Sequence, residues 1–166
     1  MNHKELTVLL DYHYWARDRA LDAAEPLPHD QFTRDLGSSF RSIRDTLAHI
    51  YFAEWAWCSR WHGTSPTAQL PVEMFPDLAA IRALWRDHET KMRSFLEGLG
   101  EDGINRVIEY KLLSGKSGAS VFWHMLQHVV NHASYHRGQV TTMLRQLGAT
   151  PPKGMDLITF YRERGH

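Results

Sequence analysis

The sequence is short of cysteine, of net charge and of long apolar runs, and each shortage excludes a class of protein. Cys58 is the one cysteine, which excludes an internal disulfide and a four-cysteine zinc site. Lys+Arg and Asp+Glu both number 19, so the formal net charge is zero. Proteins that bind nucleic acids or anionic membranes usually show a basic excess. We therefore expect neither partner.

No stretch of the chain predicts a membrane span or an export signal. The longest apolar-rich stretch, Leu47 to Cys58, contains His49 and Glu54 and is shorter than the roughly 20 residues that a spanning helix needs. The first residues, MNHKELTVLLDYHYW, have no apolar signal core and no cleavage pattern. We expect a cytoplasmic protein, and a length of 166 residues predicts a single domain over residues 1–166.

The spacing of apolar residues predicts an all-α protein. Helical periodicity with capping and stop residues predicts four long helices, at about Lys4 to Ala24, Ser42 to Gly63, Asp77 to Gly98–Gly100, and Ser120 to Leu147. A short final helix is expected from Asp156 to about Arg164. Between Ile104 and Gly118 the pattern changes to a short extended piece and a turn. The prediction is a four-helix bundle with a short irregular or extended segment before the last long helix.

Histidine is unusually frequent, with 11 in the chain, and four of these recur every four residues in the last long helix: His124, His128, His132 and His136. At about 100° per residue, His132 and His136 lie in the middle of the apolar stripe that this helix turns to the core. His128 lies at the edge of the stripe. Trp123, Val130 and Arg137 are predicted to point the other way.

Two histidines on a core-facing stripe need partners, because a buried imidazole brings a donor and an acceptor that must be satisfied. A shared metal ion would satisfy one nitrogen of each ring, since histidines one turn apart can bind the same ion. Hydrogen bonds to buried polar groups are the alternative. A third ligand would come from another helix, where His49 is the best candidate and His88 and His13 are rivals.

Glu54 is the acidic residue that could serve such a site. It lies on the most apolar line of the second helix, which also carries Leu47 and Trp61. It is a candidate catalytic proton acceptor or a partner of the ligands. The more ordinary interpretation is a charge solvated at the flank of the helix.

Three stretches carry a resemblance to a known family. They are Tyr14-Trp15-Ala16, the segment SSFRSIRDTLAHIYFAEWAW and the segment HMLQHVVNHASYHRGQVTTMLRQLG. Together they resemble the DinB/YfiT-like superfamily of metal-binding four-helix bundles. The resemblance implies three metal ligands, here His49, His132 and His136, with His128 as a neighbour of the site. It also implies a homodimer formed through the helices, with which an outward Trp123 and Val130 are compatible.

The expected function follows from this ligand set. Three histidines leave coordination positions open, as in catalytic sites. Zinc or nickel is the expected divalent ion, with iron as an alternative, since imidazole suits several metals. The resemblance implies a transferase that activates a low-molecular-weight thiol against a small-molecule electrophile. A metal-dependent hydrolase and a non-enzymatic metal-binding stress protein are the alternatives.

Overall fold

The computed structural model describes residues 1–165, and within them it consists of helices and one β-hairpin. Four helices are long, as the sequence predicted, and the fold class is confirmed as all-α. The α-helices and strands in chain order are α1 His3–Ala24, α2 His29–Phe32, α3 Ile43–Trp61, α4 Leu78–Gly103, β1 Val107–Lys111, β2 Ser117–Val121, α5 Phe122–Gln146 and α6 Leu157–Arg164, and a 3-10 helix, Val72–Met74, lies between α3 and α4. Among these residues, no helix is both long and apolar enough to cross a membrane.

Short polar side chains define where three of the long helices begin. Asn2 and Glu5 form a reciprocal capping box at the start of α1. The side chains of Ser42 and Asp77 accept hydrogen bonds from backbone N–H groups three residues further on, at the starts of α3 and α4. Each cap satisfies a backbone donor that the first turn of a helix leaves unpaired. The predicted starts at Ser42 and Asp77 are therefore correct to within one residue.

Helix α3 is one of the four helices of the bundle and buries side chains along most of its length. It packs against α5 and α4, and α1 packs against both α4 and α5. The core contains fully buried side chains from all four long helices, including Leu10, Leu47, Trp85 and Val140. Burial of such residues supplies most of the stability of a domain of this size.

The predicted extended segment is one strand of an antiparallel hairpin, and its partner strand was missed. Residues Val107 and Val121 pair at one end and Lys111 and Ser117 at the other. The predicted start of the last long helix at Ser120 is thus two residues early. Gly118 permits close pairing, because a Cβ at that position would lie 2.8 Å from ring atoms of Tyr110.

The face of α5 that was predicted to point outward is covered. Val130 and Arg137 are only 4% and 2% exposed, so the prediction is wrong for both. Val130 belongs to a small apolar cluster with Tyr12 of α1 and Phe160 of α6, which periodicity on α5 alone could not reveal. Trp123 is half-buried against the main core.

Candidate metal centre

Three histidine side chains from two helices converge on one point inside the bundle. His49 comes from the middle of α3, and His132 and His136 come from successive turns of α5. One nitrogen of each ring can be chosen so that all three lie within 4.8 Å of one another. His136 is buried, and the other two are partly buried.

The rings face one another directly. The Nε2 atoms of His49 and His132 are 3.0 Å apart, so in neutral rings one of them donates to the other. The ring centroids of His136 lie 4.6 Å from His49 and 4.4 Å from His132.

The donor set fits a divalent transition-metal ion. Metal–nitrogen bonds of 2.0–2.1 Å in a tetrahedral site place ligand nitrogens about 3.4 Å apart, which is within the spread of these three atoms. Burial, and then proximity to His136, lower the pKa of His49 to about 4 and that of His132 to about 3. Both imidazoles are therefore neutral at pH 7, with lone pairs available to bind a metal.

Two neighbouring side chains hold the rings in place, and sequence reasoning missed both. Gln139 Oε1 accepts a hydrogen bond of 2.7 Å from His136 Nδ1. This fixes the tautomer and leaves His136 Nε2 free to bind a metal. The ring of Phe40 stacks on His49 with 3.8 Å between centroids. The contact of Gln139 with His136 could have been predicted from the sequence, because residues three apart lie on the same face of a helix.

The ring of His128 lies next to that of His132. Its ring is 5.9 Å from that of His132 and 5.4 Å from that of Trp57. It is exposed and is not one of the three convergent ligands.

Glu54 is buried in the core, so its interpretation as a solvated charge at a helix flank is wrong. The side chain is 1% exposed. Its carboxylate accepts hydrogen bonds from Tyr14 Oη at 2.7 Å and Trp85 Nε1 at 2.8 Å, and it contacts His13 Nε2 at 3.0 Å. All of these partners come from α1 and α4.

The electrostatics of Glu54 are those of a buried anion with its own set of partners. Burial by itself would raise the pKa of Glu54, but His13, His88 and the Trp85 donor lower it to about 2. The carboxylate is therefore ionised at neutral pH. His88 Nε2 lies 3.7 Å from Glu54 Oε1. The two rival ligands, His13 and His88, are thus gathered around Glu54 rather than around His132 and His136.

Comparison with known proteins agrees with this architecture. The family model described as DinB family matches residues 1–163. The curated protein named Protein DinB from Bacillus subtilis (strain 168) is 26% identical over 160 residues, which cover 92% of each chain. The chain is therefore a member of the DinB family.

Proposed function

We propose that this protein is a metal-dependent enzyme that transfers a low-molecular-weight thiol to a small electrophile. One observation carries the proposal: three histidine side chains converge with no carboxylate among them. Such a ligand set leaves positions open for a small molecule, whereas a closed structural site uses four protein ligands. Zinc or nickel is the proposed ion, with iron as an alternative.

The bound ion would lower the pKa of a thiol and so supply a thiolate at neutral pH. In the transfer, the thiolate sulfur forms a bond to an electrophilic carbon. The leaving group departs with the electron pair of its broken bond to that carbon, and the thiol proton passes to solvent. His49, His132 and His136 hold the ion, and Gln139 and Phe40 keep two of these rings oriented.

The thiol in this reaction must come from outside the chain. Cys58 is 4% exposed, and burial, followed by the nearby Glu54, raises its pKa to about 12. It is therefore protonated and inaccessible at neutral pH. A reducing cytoplasm is the proposed location, because free thiols are maintained there. A homodimer formed through the helices is proposed as the functional unit.

Glu54 is proposed to anchor helix α3 rather than to take a proton in the reaction. Its hydrogen bonds are to side chains of α1 and α4. These bonds orient the helix that carries His49, five residues earlier in the chain.

The test is a coupled measurement of metal and thiol dependence. The purified protein is stripped of metal, reloaded with zinc, nickel or iron, and assayed with monochlorobimane and a panel of cellular thiols. We expect acceleration only with metal and thiol together. The variant His132→Ala should lose it, and His124→Ala, on the same helix but outside the convergent group, should retain it.

Two results would contradict the proposal in different ways. Turnover of esters, amides or lactones with metal but without thiol would instead indicate a hydrolase. Tight metal binding with no rate enhancement for any thiol would leave a non-enzymatic metal-binding protein.

A further inference from the structure

Arg60, in the last turn of α3, is a buried cation without a carboxylate partner among the residues that the structure describes. The residue is 6% exposed, and its Nε donates a hydrogen bond of 3.2 Å to the backbone oxygen of Lys111. The terminal nitrogens Nη1 and Nη2 donate to no group of the described chain, yet the fold does not seal them from solvent. Burial lowers the pKa of Arg60, and no described carboxylate lies close enough to raise it. A buried charge in this state favours an anionic ligand.

A row of ring contacts connects Arg60 to the histidine centre. The guanidinium carbon of Arg60 lies 4.6 Å from the ring centre of Trp57. The ring of Trp57 is 5.4 Å from that of His128, which in turn is 5.9 Å from that of His132. The free donors of Arg60 therefore belong to the same region of the surface as the three convergent histidines.

Helix α3 also turns Arg60 and His49 to the same side. The two residues are eleven positions apart, which corresponds to about 20° around the helix axis and about 16 Å along it. Ala53 and Ala56 lie between them, within about 40° of His49, and each adds only a methyl group. Because helical side chains lean toward the N-terminus of their helix, the guanidinium of Arg60 leans over Trp57 and toward His49.

This spacing sets the length of a ligand that reaches both ends. Allowing about 2.3 Å for a metal–sulfur bond and about 3 Å for a hydrogen bond to the guanidinium leaves about 10 Å between the sulfur and the acidic group. A guanidinium matches the geometry of a carboxylate, to which it can donate two parallel hydrogen bonds. The half-buried ring of Trp57 offers an apolar wall to the part of the ligand that lies between.

We propose that Arg60 binds a carboxylate of the thiol co-substrate while the sulfur of the same molecule binds the metal held by His49, His132 and His136. The co-substrate is therefore an anionic thiol whose carboxylate lies about 10 Å from its sulfur. The proposal rests on the proposed function for the metal and the thiol. It adds a requirement for charge and length that the three histidines alone do not impose.

The experiment compares thiols that differ only in charge or length, using protein loaded with cobalt(II). A thiolate bound to cobalt(II) absorbs in the near ultraviolet, so binding is measured without turnover. We expect 8-mercaptooctanoate to bind about tenfold or more tightly than 8-mercapto-1-octanol, as charge-assisted hydrogen bonds predict. The short pair, 3-mercaptopropionate and 3-mercapto-1-propanol, cannot reach Arg60 and should show no such preference.

Substitutions of Arg60 assign the preference to its side chain. Arg60→Gln should bind 8-mercapto-1-octanol like the wild type but should no longer favour the long acid. Arg60→Lys keeps the charge without the paired donors and should retain part of the preference. Arg106→Gln is the matched control, because Arg106 also lacks a described carboxylate partner but contacts Trp61 and Phe95 instead. It should retain the full preference.

Equal binding of the long acid and the long alcohol by the wild type would overturn the assignment of Arg60, as would a preference that persists in Arg60→Gln. The comparison within the wild type decides this even if Arg60→Gln folds poorly. Metal-dependent transfer to monochlorobimane would in that case leave the proposed function standing. If the preference depends on Arg60 but no thiol is ever transferred, the proposed function fails and the anionic subsite stands. No thiolate absorption with any of these compounds would refute both.

Discussion

Two groups of polar side chains meet on helix α3, and they differ because only one of them contains a carboxylate. On one face, His49 joins His132 and His136 with no acid among them. On another, Glu54 joins His13 and His88. Because residues five apart on a helix differ by about 140° around the axis, the two groups lie on different sides of α3.

The carboxylate decides what each group can do. Around Glu54, both carboxylate oxygens are used within the protein, since three side chains donate to or contact them at 3.0 Å or less. Around His49, two Nε2 atoms face one another at 3.0 Å, and a shared cation would bind both nitrogens in place of that hydrogen bond. The first group therefore stabilises the fold, and the second is suited to bind a ligand.

The largest effect that separates the two groups is expected from Glu54→Ala. Removal of the carboxylate leaves Tyr14, Trp85 and His13 without their buried partner. Loss of one member of a buried charged network costs about 3–5 kcal/mol, and we expect the free energy of unfolding to fall by that amount. Urea denaturation followed by tryptophan fluorescence measures it. A variant of normal stability that cannot bind metal would assign Glu54 to the metal centre instead.

The second prediction concerns His132, a proposed metal ligand. Its removal should affect metal binding strongly and stability little. His132→Ala should weaken metal binding by about 100-fold or more, since loss of a ligand costs at least as much as loss of its hydrogen-bond partner. The stability of the metal-free protein should change by less than about 1 kcal/mol. Competition with a chromogenic chelator gives the affinity, and His124→Ala serves as the control. An equal loss of metal in His124→Ala would contradict the assignment.

The sequence was most informative where a pattern repeats along one helix. The spacing of apolar residues predicted the long helices, and the position of His132 and His136 within the stripe of α5 placed both toward the core. The structure buries His136 and half-buries His132. The orientation of His49 could not be derived in this way, because α3 is apolar nearly all round. Its choice over His13 and His88 came from the family resemblance.

The failures concern side chains whose surroundings are set by distant parts of the chain. Glu54 looked like a flank charge because its partners Tyr14 and Trp85 are 40 and 31 residues away. Val130 looked exposed because α6, which covers it, is not part of the α5 pattern. Strand β2 was missed because its sequence, SGASV, has little β-propensity of its own and is defined by pairing with β1.

The third prediction distinguishes a side chain that orients a metal ligand from a side chain that binds the metal itself. Gln139→Ala removes the acceptor for His136 Nδ1 but leaves all three ligand nitrogens. Loss of such a partner typically weakens metal binding by about 10- to 100-fold, and we expect the lower end because His136 remains held by its neighbours. Calorimetric titration with zinc measures it. Gln146 is an exposed residue at the end of α5, so Gln146→Ala should leave the affinity unchanged. An equal effect in both variants would contradict the role of Gln139.

The smallest effect appears only in acid and tests the charge on Glu54. Its pKa is about 2 in the folded protein against a usual value of 4.5, so the unfolded chain takes up the proton first as the pH falls. The stabilisation from the ionised carboxylate is therefore complete above about pH 5 and is lost between about pH 4.5 and pH 2. The difference in unfolding free energy between the wild type and Glu54→Gln should shrink as the pH falls from 5 toward 3. Urea denaturation at each pH measures it, with the exposed Glu97→Gln as control. A difference that stays constant down to pH 3 would mean that the buried group is not held as an anion, and the contrast between the two faces of α3 would then lose its electrostatic basis.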